Sequence, residues 1–94
     1  MTDSLRAEQV RAAVLEYLAT RPSLSYDLPL LLRQVNKSRA LDYEVTADDL
    51  TGAVAFLEDK GLIKHSFSLL GSTRFFQATA AGCLAHERGT LDQT

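Results

Sequence analysis

Apolar residues recur every three or four positions through three successive stretches of the chain, then every second position through a fourth. In the first stretch Ala7, Val10, Val14, Tyr17 and Leu18 fall on one face of a helix that runs to about Thr20, with Asp3 or Ser4 as its cap. "TRPSLS" breaks that pattern, because proline stops a helix and Ser23 and Ser25 favour turns. The second stretch predicts a helix capped by Ser25 or Asp27, with Pro29 in its first turn. Its buried face is Leu28, Leu31, Leu32 and Val35, and "LDYEV" after it lacks a helical period. In the third stretch Thr46 caps a helix and Asp49 stands three positions on, as in a capping box. Leu50, Val54 and Leu57 turn inward there, and Gly61 ends the helix in a left-handed conformation.

After Gly61 the period falls to two. Ile63, His65, Phe67 and Leu69 share one face of a strand, "TRFFQAT" supplies a second strand, and "LGST" turns between them with Gly71 at the bend. Thr79 caps a last short helix, "AAGCLAHERG". Residues 1–89 form one domain on this reading and residues 90–94 a flexible tail. The expected core joins Val14, Leu18, Leu31, Leu32, Val35, Leu50, Val54, Leu57 and Ile63.

Three helices, a two-stranded hairpin and a closing helix make a mainly α chain with the layout of a winged helix-turn-helix. "AFLEDKGLI" resembles the segment of winged-helix regulators that joins the recognition helix to the wing. "FFQATAAG" is similar to the motif that leaves the wing in MarR- and PadR-like proteins. More narrowly, "ALDYEVTADDLTGAVAFLEDKGLI" followed by "ATAAG" resembles small proteins of Mu-like prophages. The likeness runs from about Val10 to Gly89 and implies a DNA-binding transcriptional regulator.

Composition narrows the field. Ninety-four residues, 46% hydrophobic, suffice for one modest core. Twelve acidic against 10 basic residues leave a net charge of −2, which does not by itself point to a polyanion. The single cysteine, Cys83, excludes an internal disulfide and fits a reducing compartment. The N-terminus has no signal-peptide core and no apolar run approaches the ~20 residues of a membrane span, so a cytoplasmic protein is expected. Phosphate loops, paired-carboxylate motifs and nucleophile elbows are absent from the sequence, so neither an enzyme nor a cofactor is expected. Cys83 and His86 have the spacing of half a metal site. His65 is the only other histidine and sits in a strand, so no metal is expected.

The third helix complicates the resemblance. Its outward stripe is Asp48, Gly52, Ala55 and Asp59, flanked by Thr51 and Glu58, and from Thr46 to Lys60 four acids face one lysine. Most direct base contacts come from arginine, lysine, asparagine and glutamine, and the stripe holds none of these. Two functions follow as expectations. The first is a prophage-type DNA-binding regulator, dimeric on a palindromic site, that grips DNA through Arg33, Lys37, Thr46, Thr51, Lys64 and Arg74. The alternative is a protein-contact module that binds no DNA and presents Asp48, Gly52, Ala55 and Asp59 to a basic partner. A second apolar line on the first helix, Leu5, Ala12, Leu15 and Ala19, offers a dimer surface unless the closing helix covers Leu15 through Leu84 and Ala85.

Overall fold

The computed structural model describes residues 2–69 and 71–89, and the tail expected over 90–94 lies outside them. The elements run α1 (Thr2–Ala19), α2 (Leu28–Ser38), α3 (Ala47–Asp59), β1 (Ile63–Phe67), β2 (Arg74–Ala78) and α4 (Ala80–Arg88). The fold is the expected winged helix, mainly helical with one antiparallel hairpin.

Helix α1 is the spine, in contact with α2, α3, α4 and β2. It begins at Thr2, so Asp3 and Ser4 lie within helical backbone and do not cap it. A cap residue needs non-helical φ and ψ, which neither position has. The other caps fall where the sequence put them. Asp27 accepts from the Leu30 N–H, Thr46 and Asp49 form a reciprocal capping box, and Thr79 accepts from the Gly82 N–H. Gly61, at φ +75°, releases the chain from α3.

One core gathers Val14, Leu18, Leu31, Val35, Leu50, Val54, Leu57 and Ile63, together with Val10, Leu15, Val45 and Phe76. Leu32, expected inside, is only partly buried at its edge. The α2–α3 connection is fixed by Asn36, whose side chain accepts from the Val45 N–H at 2.7 Å and donates to the Val45 carbonyl at 3.0 Å. That clamp keeps Val45 buried in a segment that has no helical period.

The "TRPSLS" break hides a strand position. Tyr26 and Phe76 exchange both backbone hydrogen bonds, at 2.9 and 2.8 Å, so the free edge of β2 is partly occupied. In the hairpin the cross-strand pairs are Ile63–Ala78, Lys64–Gln77, His65–Phe76, Ser66–Phe75 and Phe67–Arg74. Only Ile63 of β1 is buried, because the strand then projects beyond the helices that cover its base.

The second apolar line of α1 is partly used inside the chain. Leu15 is buried with Gly82 of α4 close against it, and of the two residues expected to cover it Ala85 packs on the core while Leu84 is 44% exposed. A Cβ at Gly82 would stand 3.4 Å from Leu15 Cδ1 and would collide with the Leu62 carbonyl. The same corner is tied by the Thr79 N–H to the Leu62 carbonyl at 3.0 Å and by the Thr79 hydroxyl to the Gly61 carbonyl at 2.7 Å. Leu15 therefore drops out of the expected dimer surface, while Leu5 and Ala12 stay exposed and Ala19 is half-buried.

Two substitutions test this packing. Leu57→Ala removes a side chain with no exposed surface and should cost about 2–5 kcal/mol. Gly82→Ala should cost at least ~1–3 kcal/mol, since backbone must move to admit the methyl. Urea unfolding followed by circular dichroism measures both. A Gly82→Ala protein within about 0.5 kcal/mol of wild type would contradict the close approach of α4.

Candidate nucleic-acid interface

Local chemistry divides the acids of α3 into two pairs. Asp49 turns inward at the first turn, where Arg6 of α1 grips it with Nε 3.2 Å from both carboxylate oxygens and a terminal nitrogen 2.7 Å from Oδ2. That nitrogen also donates to the Glu44 carbonyl at 3.1 Å, and the guanidinium lies 4.3 Å from the Tyr43 ring centroid. Glu58, toward the other end of the helix, pairs with His65 on the wing. Asp48 and Asp59 stay exposed on the outer stripe, with Gly52 and Ala55 exposed between them. The stripe keeps both of its aspartates, and only the flanking Glu58 is engaged by a neighbour. It still carries no base-reading cation.

Both threonines expected to touch DNA are engaged in helix structure. Thr46 Oγ1 accepts from the Asp49 N–H at 3.2 Å, and the Thr51 hydroxyl donates to the Ala47 carbonyl at 2.9 Å. The four basic candidates, Arg33, Lys37, Lys64 and Arg74, are all exposed. Arg33 and Lys37 sit one turn apart on α2 and form one surface. The wing cations do not join each other. The hairpin register puts Arg74 on the face of Ile63, His65 and Phe67, and Lys64 on the opposite face. Arg74 also lies 5.3 Å from the Phe76 ring centroid, within cation–π range.

Sequence reasoning missed the surface between the first turns of α2 and α3. Leu28, Pro29, Leu32, Ala47, Leu50 and Thr51 line an apolar cleft of about 220 Å³. Asp27 occupies the Leu30 amide at the start of α2, and Pro29 has no N–H to offer a phosphate. Leu32, placed in the core from its helical spacing, was the available signal, since a partly covered leucine next to proline marks a cleft wall. Cys83 is half-buried with Sγ 3.8 Å from the Ala19 carbonyl. Among the described residues no three His, Cys, Asp or Glu side chains cluster to hold a metal, and no helix is long and apolar enough to cross a membrane.

No protein-family model matches the chain, and no curated protein sequence matches it. Its fold is similar to the solved structure of a transcriptional regulator from Clostridium thermocellum, with a TM-score of 0.75. The two share 18% identity over 95% of this chain and 82% of the other, a likeness of fold.

The Arg6–Asp49 pair yields a pH prediction. The Arg6 hydrogen bonds, helped by the Thr46 amide, hold the Asp49 carboxyl well below the usual carboxylate range. A depressed acid stabilises the folded state fully above its unfolded pKa of about 4, and that contribution fades as pH falls toward the folded value. Asp49→Asn should therefore lower stability at pH 7 and flatten the loss of stability between roughly pH 4 and pH 2. Urea midpoints measured across that range check it, and an acid limb identical to wild type would refute the coupling.

Proposed function

We propose that this chain is a winged-helix transcriptional regulator that holds duplex DNA through its phosphates and leaves α3 without direct base readout. The supporting observation is the charge layout. Arg33 and Lys37 present adjacent cations on α2 and the wing carries two more, whereas the outer stripe of α3 carries Asp48 and Asp59. The fold shared with a transcriptional regulator supports the same reading. The resemblance to small proteins of Mu-like prophages suggests a prophage-type regulator in the cytoplasm. Two-fold pairing onto a palindrome would use the exposed part of the α1 line, Leu5 and Ala12.

A second reading has one observation in its favour. The apolar cleft between α2 and α3 suits a partner protein's apolar side chains, and Asp48, exposed on the outer stripe of α3, suits a basic one. Gly52 and Ala55 would let that partner's backbone approach α3 closely, with Asp59 at the far end of the contact.

The phosphate reading is tested by gel retardation across a salt series. Arg33→Ala should weaken binding to all sequences alike and reduce the salt slope by about one unit. The absence of any retarded complex at ~50 mM salt, where phosphate contacts are strong, would overturn it and favour the second reading.

A further inference from the structure

The wing of this protein leaves the core carrying apolar side chains to its end. On one face the order from base to tip is Ile63 with Ala78, His65 with Phe76, then Phe67 with Arg74. The rings form a continuous series: His65 meets Phe67 edge-on at 5.4 Å and Phe76 at 6.0 Å. Phe67 is 59% exposed, and Leu69 just beyond it is fully exposed. The described residues leave most of the Phe67 side chain and all of Leu69 open to solvent.

Charge indicates what would cover them. From Leu62 to Thr79 the chain has two cations, Lys64 and Arg74, and no acid. Arg74 stands directly across from Phe67 on the same face, so a cation flanks the apolar tip. Around the tip the described residues are serines, Gly71 and Thr73, none of which bears charge. The base of the hairpin is held by the Tyr26–Phe76 bonds and by the Glu58–His65 pair, so the tip extends from an anchored stem.

We propose that the wing tip is an apolar wedge for the minor groove of duplex DNA, with Phe67 and Leu69 entering at a base step and Arg74 meeting a flanking phosphate. Exposed phenylalanine and leucine side chains are groups that part stacked base pairs from the minor groove, and pyrimidine–purine steps open most easily. The proposal rests on the DNA-binding reading above and adds a mode to it. Affinity gained from the wedge does not depend on salt, unlike the share contributed by Arg33 and Lys37.

The test uses a 30-base-pair duplex with 2-aminopurine at a central TA step, titrated with the full chain at several salt concentrations. Wild type should raise the aminopurine fluorescence as the step unstacks. Leu69→Ser should abolish that rise and weaken binding roughly tenfold with an unchanged salt slope. Its circular dichroism and thermal unfolding should match wild type, because the Leu69 side chain is fully exposed, and Phe67→Ser should repeat the binding result. Binding by wild type without a fluorescence rise, or by Leu69→Ser with the rise intact, would overturn the wedge and leave phosphate binding standing. Failure of wild type to bind the duplex would overturn both. Self-association of free wild type that Leu69→Ser removes, measured by sedimentation, would assign the tip to a second copy of the chain and also overturn the wedge.

Discussion

Helix α1 is covered from two directions, and the remaining elements take their places from that constraint. On one side Val10 and Val14 face the α3 side of the core, and Arg6 holds Asp49 at the first turn of α3. On another side Leu15 receives Gly82 of α4, which is possible only because residue 82 has no Cβ. Fixing α3 to α1 sets the direction of its outer stripe. Fixing α4 to α1 through the Leu62 corner sets the root of the wing. The directions of the functional surfaces thus follow from the contacts that α1 makes.

The Arg6–Asp49 pair also changes how the third helix should be weighed as a DNA reader. An acid in the first turn of a recognition helix implies repulsion from phosphates, about 1 kcal/mol per close pair even in water. Asp49 is instead a structural acid that completes a capping box and ties two helices together. Glu58 similarly joins α3 to the wing through His65. What remains facing outward is sparse, with two aspartates and a waist of Gly52 and Ala55 between them. On the proposed reading, such a surface neither attracts a backbone nor reads bases. The same proposal gives the hold on DNA to α2 and to the hairpin.

Most of the fold was legible in the sequence, because local signals and tertiary packing agree at Thr46, Gly61 and Thr79. The parts that were hidden depend on pairings distant in the chain. Nothing near Tyr26 announces that its backbone will bond with Phe76, and nothing near Leu15 announces a glycine 67 positions on that fits against it. The candidate site was less legible than the fold. Lys64 and Arg74 read as cations of the two wing strands, and only the hairpin register shows that they lie on opposite faces. The capping role of Asp49 was legible beside Thr46, but its pairing with Arg6 and that of Glu58 with His65 arise only in the folded chain.

The central proposal is that α3 leaves Asp48 and Asp59 facing outward without using them to read DNA. The direct measurement is the affinity of an Asp48→Asn, Asp59→Asn double variant for several unrelated duplexes at fixed salt. With two like charges removed from the facing stripe, binding to every duplex should tighten by a similar factor, and any order of preference among them should persist. Weaker binding, or a changed order of preference, would mean that these aspartates contact bases and would contradict the account.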